Sequence, residues 1–220
     1  LVENGVVIPI KFDPRMFDFD PVQFPDGVDY DTLGDMGWSG FRIRTPLNRP
    51  DVMDEVAVFQ GASYFRAVAR GTLYGLSARG LAIGTGSPEG EEFPMFRDFW
   101  ITKPGPRERS VLIYALLDSR SVSGAFEFRI TPGAETLFDT RVAIFPRNDM
   151  KNCGIAPLTS MYWFGPTDRS RVDDYRPAVH DSDGLQMLTG KKERIWRVLS
   201  GHATLQTSAF VDDNPLGFGL

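Results

Sequence analysis

Apolar residues along this chain recur every second position far more often than every third or fourth. Residues 41–45 (Phe-Arg-Ile-Arg-Thr) alternate cleanly, as a half-buried strand does. Residues 111–117 and 125–130 read as two strands flanking a loop at 118–124, and 137–145 as a third antiparallel strand after Thr131, Pro132 and Gly133. Such a meander exposes one apolar face that a second sheet must cover. Further strands are expected over 6–12, 65–68, 96–101, 160–164, 194–199 and 204–211, and over 73–83 with glycine interruptions. Asn4-Gly5 is a hairpin turn signal. Helical spacing is sparse. Asp13-Pro14 starts a turn or short helix through Met16 and Phe17, and Tyr30, Leu33 and Met36 suit one short helix ended by Gly37. Residues 85–94 and 165–184 read as polar loops. The pattern predicts a mainly β chain, one large antiparallel β-sandwich with few short helices.

Composition agrees. The 220 residues include 22 glycines, 16 prolines and 17 phenylalanines, a mixture of turns and rings that suits a β-rich core. A hydrophobic fraction of 42% excludes disorder, and the longest apolar run, 111–117, is too short to span a membrane as a helix. The net charge of −5 argues against a nucleic-acid surface, which needs surplus Lys and Arg. One cysteine excludes an intrachain disulfide, and with two histidines it leaves too few ligands for a structural zinc. Both ends read as cuts through a folded domain, with no signal-peptide block at the start.

Most candidate motifs fail on spacing. Gly84, Gly86 and Gly90 lack the spacing and following helix of a dinucleotide loop. Gly75-Leu-Ser77-Ala-Arg79-Gly80 misses the second glycine of a nucleophile elbow by one position. Cys153 reads as a small buried apolar residue rather than a nucleophile. His180-Asp181-Ser182-Asp183-Gly184 carries the densest chemistry. Leu185 and Lys192 stand where an EF-hand needs ligands, so calcium in that form is excluded. Spacing alone favours an Asx-turn. If extended, the segment sets Asp181 and Asp183 on one face and His180 on the other. The surroundings add weight: Tyr162, Trp163, Phe164, Tyr175 and Trp196 are interleaved with Arg169, Arg171, Arg176 and Arg197. Rings beside charged groups suit a neutral polyhydroxylated ligand, stacking on C–H faces while polar groups bond hydroxyls. Phe164 and Trp196 read as core, and Trp163 and Tyr175 stand evenly between core and site.

Several segments together resemble a known family. They are Gly61-Ala-Ser-Tyr-Phe-Arg66, Tyr74-Gly-Leu-Ser-Ala-Arg-Gly-Leu-Ala-Ile83, Gly90-Glu-Glu-Phe-Pro94, Phe99-Trp-Ile101 and Ile113-Tyr-Ala-Leu-Leu-Asp-Ser119. Ala156-Pro-Leu-Thr-Ser-Met161, Phe164-Gly-Pro166, Tyr175-Arg-Pro177, His180-Asp-Ser182, Ile195-Trp-Arg197 and Asn214-Pro-Leu-Gly-Phe-Gly-Leu220 continue the series. In order and spacing they resemble the periplasmic glucan biosynthesis proteins OpgG and OpgD, also called MdoG and MdoD.

The resemblance implies a large N-terminal β-sandwich of the galactose-mutarotase-like, supersandwich type, of which residues 1–220 are a part. It also implies a smaller immunoglobulin-like domain absent from this chain. It implies a periplasmic protein that handles osmoregulated β-1,2-glucan, within a family of inverting endo-β-1,2-glucanases. No metal or organic cofactor is implied. The family's general base falls on Asp181, which would activate water while a protonated acid serves the leaving oxygen. The family's acid lies in the region that follows Leu220. Asp183, Asp174, Glu91 and Glu92 are carboxylates to which the resemblance gives no such role. Tyr64, Arg79, Glu92, Trp163, Tyr175, Arg176 and His180 are the candidate glucan contacts, with a loop salt bridge as the rival reading for Arg79 and Glu92. The alternative function is a non-catalytic glucan-binding or scaffold role in backbone assembly, with a membrane partner in glucan synthesis. The oligomeric state stays open.

Overall fold

Strands form wherever the alternation is clean, and their pairing follows the turn chemistry. The computed structural model describes residues 1–17, 33, 36–169, 171–202 and 204–220. β1 (Val2–Glu3) and β2 (Val6–Val7) form a hairpin whose turn residues, Asn4 and Gly5, have φ of 50° and 78°. Tight hairpins need that left-handed backbone at both positions. The strand expected over 6–12 is therefore only the second arm of this hairpin. Pro14–Met16 makes a 3-10 turn, with the Asp13 carboxylate accepting from the Arg15 backbone N–H. The helix expected over 30–36 lies outside the described residues, Leu33 and Met36 apart.

The remaining strands follow in order. They are β3 (Gly40–Pro46), β4 (Met53–Gln60), β5 (Tyr64–Ala67), β6 (Leu76–Arg79), β7 (Leu81–Ile83) and β8 (Met95–Thr102). Next come β9 (Val111–Asp118), β10 (Val122–Thr131), β11 (Leu137–Pro146), β12 (Cys153–Ile155), β13 (Leu158–Thr159) and β14 (Tyr162–Phe164). Last are β15 (Val179–His180), β16 (Gly184–Leu188), β17 (Arg194–Val198) and β18 (Gly217–Gly219). A six-stranded sheet runs β11-β10-β9-β8-β1-β2, and a five-stranded sheet runs β13-β6-β5-β4-β3. The pairs β12-β7 and β14-β15 and the three-stranded β17-β16-β18 complete the topology.

Phenylalanines glue the two large sheets together. Phe41, Phe59 and Phe65 from the five-stranded sheet meet Phe96, Phe99, Phe126, Phe128 and Phe138 from the six-stranded one. Phe59 is fully buried and touches the rings of Phe41, Phe65, Phe99, Phe128 and Phe138 at 5.1–6.3 Å between centroids. Most of these pairs are edge-to-face or tilted, the geometries that the ring quadrupole favours. Along β9 and β10 every second residue is buried, as expected.

Two bulges explain where the alternation misleads. In β8 the register slips between Phe96 and Asp98, so Phe96 and Phe99 both face the core although they stand three positions apart. Opposite β3, the slip between Ile43 and Arg44 lets Val56 and Ala57, adjacent in β4, both be fully buried. That broken alternation hides β4 from a period-two reading. Gly80 links β6 to β7 where the chain changes sheets. A Cβ there would lie 2.9 Å from Phe96 Cζ and 3.1 Å from Phe126 Cζ, so no larger residue fits without shifting a core ring.

Two expectations fail. Cys153 is exposed at the start of β12, not buried: β12 pairs only with β7 in a two-stranded ladder, and its first and last residues stay in solvent. No strand forms over 204–211: with no neighbouring strand to pair with, Leu205 and Val211 are almost fully exposed.

Glu92 fastens the β9–β10 turn. Its backbone bridges Ile83, and its carboxylate accepts from Ser119 Oγ (2.7 Å), Ser121 N (2.8 Å) and Ser121 Oγ (2.7 Å). Burial pushes the Glu92 carboxyl up, but the bonds from Ser119 and Ser121 and the charge of Arg120 together pull it below its ordinary 4.5. A lowered folded value means that this stabilisation is complete above pH 4.5 and fades as pH falls through the folded value. Glu92→Gln should therefore cost about 1–2 kcal/mol at neutral pH. The deficit should vanish in strong acid, as read from urea unfolding across a pH series. Phe59→Ala should cost about 3–5 kcal/mol in the same assay at neutral pH, because the void it leaves is ringed by groups held from both sheets.

Candidate functional site

Asp181 is held by a backbone clamp. β13 pairs with β6 in the register Leu158↔Ala78 and Thr159↔Ser77, which fixes the chain entering Ser160 and Met161. The Asp181 N–H donates to Met161 O (2.9 Å), and the Met161 N–H donates to Asp181 Oδ2 (3.1 Å). The Ser160 and Ser182 hydroxyls hydrogen-bond at 2.7 Å. One step on, Tyr162 pairs with His180, their rings stacked with centroids 6.2 Å apart. The fully buried Phe164 anchors β14. Asp181 thus bonds across to Met161, just ahead of β14, rather than forming the Asx-turn that spacing alone favours. Its Oδ1 accepts no hydrogen bond from the described residues. His180 Nδ1 lies 3.0 Å from Ser182 O and 3.7 Å from Asp183 Oδ1, so the loop curls and brings His180 to Asp183 instead of splitting them across two faces.

Beside this clamp lies a groove of about 540 Å³, a size typical of small-ligand sites. Asp181, Ser182 and Asp183 form part of its wall, with Leu76 from β6 and Phe218 from β18. Its floor is one face of the three-stranded sheet. Gln186 pairs with Trp196 on one side and Gly219 on the other, and Leu188 pairs with Gly217. Residues directly opposite in a ladder share a face, so Gln186, Leu188, Trp196, Gly217 and Gly219 lie together. A Cβ on Gly217 or Gly219 would meet nothing within 4 Å. At Gly184 a Cβ would strike Trp196 Cζ2 at 2.7 Å, so this glycine lets the indole lie against the backbone. Trp196 is 56% exposed and lines the groove, which corrects its reading as a core ring, while Phe164 is buried as expected.

The other candidate residues fall into separate groups. Trp163 of β14 meets Tyr175 and Arg176 of the polar loop: the Arg176 guanidinium lies 5.9 Å from each ring, and both rings are largely exposed. Arg176 also forks onto Asp174 through Nε (2.9 Å) and Nη2 (2.6 Å). Those bonds hold the Asp174 carboxyl down to about 2. Tyr64 and Arg79 face each other across β5 and β6, with the Arg79 guanidinium 5.5 Å from the rings of Tyr64 and Phe93. Arg79 is buried and ion-paired to Glu91 at 2.6 Å, and Glu92 is bound to the β9–β10 turn. Neither lines the groove, and each is in the loop contact that was the rival reading for it. Glu91 is taken up by Arg79 outside the groove, and the carboxyls of Asp174 and Glu92 are held low, so neither of those two suits the role of a protonated donor at neutral pH. Among the described residues no group of three or more His, Cys, Asp and Glu is placed to hold a metal ion.

Leu76, Gln186, Trp196, Phe218 and the glycines at 217 and 219 escaped the sequence reading. The available signal was Gly184, Gln186 and Leu188 on one face of a strand, with small residues where its neighbour would otherwise fill the space.

Comparison with known proteins identifies the family. The family model described as periplasmic glucan biosynthesis protein, MdoG, matches residues 1–220. A glucans biosynthesis protein G of Bradyrhizobium diazoefficiens is 52% identical over 219 residues, covering 100% of this chain and 42% of its own length. One from Vibrio cholerae is 50% identical over 220 residues, covering 100% of this chain and 40% of the relative. One from Rhodopseudomonas palustris is 54% identical over 186 residues, covering 84% and 37%. The chain spans about two fifths of the length of these relatives. Matched from end to end by the model, and sharing half its residues with such relatives, the chain belongs to the periplasmic glucan biosynthesis protein (MdoG) family.

Proposed function

We propose that this chain forms the glucan-holding part of a periplasmic endo-β-1,2-glucanase of the inverting type, with Asp181 as general base. One observation carries the reading: a half-buried carboxylate, fixed through one oxygen and open at the other, stands on the wall of a groove that also presents an indole. A general base needs a fixed direction and a free lone pair, and both are present. A neutral sugar would lay its C–H face on Trp196, while the Gln186 amide both donates to and accepts from hydroxyls. Inversion requires water on the side of the sugar ring away from the leaving oxygen, activated by the base while a separate acid protonates that oxygen. The resemblance assigns that acid to the family region beyond Leu220. Trp163, Tyr175 and Arg176 would extend the contact along a longer glucan. The compartment follows the family's description.

A second reading is favoured by the relatives' names, which speak of glucan biosynthesis. In it the groove binds the growing glucan without cutting it, beside a membrane-bound synthesis partner.

The full-length protein separates the two. With linear β-1,2-glucan, Asp181→Asn should lower the release of reducing ends by about 10²–10⁴-fold while leaving binding by calorimetry in place. Unchanged turnover in that variant removes Asp181 as base. Binding with no cleavage by the wild-type protein supports the second reading. Trp196→Ala should weaken glucan binding roughly tenfold, about 1.4 kcal/mol. An unaltered affinity would exclude this groove as the binding place in either reading.

A further inference from the structure

The strand pair that leads into Asp181 is too short to hold itself. β14 and β15 share two ladder positions, Tyr162↔His180 and Phe164↔Val179, with a register shift between them. Two-stranded ribbons of this length are marginal without outside support. The buried Phe164 anchors the far position. The near position, Tyr162↔His180, needs an anchor of its own. Met161 directly precedes Tyr162, and its two hydrogen bonds are the ones that hold Asp181.

Asp168 supplies that anchor. Its Oδ2 accepts from the Tyr162 phenol at 2.5 Å, and its Oδ1 accepts from the Gly165 N–H at 2.5 Å. One carboxylate thus grips β14 both at its first residue and just past its last. A phenol–carboxylate bond this short is charge-assisted, roughly twice as strong as a neutral one. It holds the Asp168 carboxyl below its ordinary 3.8 and the Tyr162 phenol above its ordinary 10.0. At neutral pH the donor therefore keeps its proton and the acceptor its charge.

The chain leaving β17 closes over this bond. A Cβ on Gly201 would lie 2.7 Å from Tyr162 Oη and 2.9 Å from Asp168 Oδ2, so glycine lets the backbone come this near. Two residues earlier, the Leu199 N–H donates to Asp183 O at 2.8 Å. The turn over 180–183 is thus tied on one side to Met161 and Tyr162 and on the other to the exit of β17. The Tyr162–Asp168 bond lies where the two supports meet.

We propose that Tyr162 and Asp168 are positioning residues, whose bond fixes the Tyr162–His180 pair and, through Met161, the direction of the Asp181 carboxylate. The inference rests on the reading of Asp181 as general base. Neither side chain lines the groove, so their effect falls on turnover and not on affinity. A base turned slightly from its line of attack loses rate while the sugar still binds.

The test uses the full-length protein and linear β-1,2-glucan. Tyr162→Phe keeps the ring that stacks on His180 and removes only the bond. It should lower kcat about tenfold or more, with KM and calorimetric affinity unchanged. Asp168→Ala should cost at least as much, and adding Tyr162→Phe to it should cost nothing further, because the two groups act as one. Both single variants should also speed amide hydrogen exchange about tenfold or more over peptides spanning 159–163 and 179–183, read by mass spectrometry, while β9 and β10 exchange as in the wild type. Weakened affinity at constant kcat would make Tyr162 a glucan contact and overturn the proposal. Unchanged turnover in Tyr162→Phe would overturn it too, as would an equal loss when Asp168 is already replaced. Should the wild-type protein bind glucan and cut none, the base assignment falls by itself. Exchange then decides alone: acceleration keeps the pair as the holder of the Asp181 turn, and unaltered exchange overturns that role.

Discussion

Ring packing between two sheets is the constraint on which everything else rests. Eight phenylalanines, three from one sheet and five from the other, fill the space that a sandwich must fill with something apolar. The rings set the sheet spacing and demand that Gly80 stay bare where the chain crosses between layers. The bulge in β8 is what lets Phe96 and Phe99, of opposite parity, both reach the core.

The groove hangs from that frame at one remove. β6 belongs to the five-stranded sheet, gives Leu76 to the groove and pairs with β13, and β13 leads directly to Ser160, which bonds Ser182, and to Met161, which grips Asp181 through two hydrogen bonds. The carboxylate is therefore placed by backbone hydrogen bonds that trace back to a packed layer within a few residues. In the polar cluster only Trp163 shares that ancestry, through β14 and the buried Phe164, whereas Tyr175 and Arg176 belong to a loop that does not. It is held by Arg169 and Arg176 reaching to carbonyls and to Asp174 within the same loop. A rigid chemical centre with an adaptable flank is a sensible division for a ligand made of repeating units.

Sheet class, the central meander and the first hairpin were legible because alternation and turn chemistry are local properties. β9, β10 and β11 fall within a residue or so of their expected ends at most of their termini, though β10 begins three residues early because Val122, Ser123 and Gly124 belong to the ladder and not to the loop. β4 was illegible for the opposite reason: its register slip is decided by a partner strand, not by its own residues. The His-Asp-Ser segment stood out as chemistry, but its neighbours did not. Trp196 passed for a core ring because sequence cannot tell that Gly184 beneath it leaves the indole at a surface. Arg79 and Glu92, attractive as ligand contacts in sequence, have their charges occupied by Glu91 and by two serines. Proximity in a motif says which side chains are near one another along the chain, and nothing about which already have partners.

The bare floor at positions 217 and 219 has a consequence for how this groove could diversify. A methyl group added at either point would meet no neighbour within 4 Å. Depth is thus uncoupled from folding: a descendant could make the trough shallower for a slimmer guest without disturbing a single packed atom.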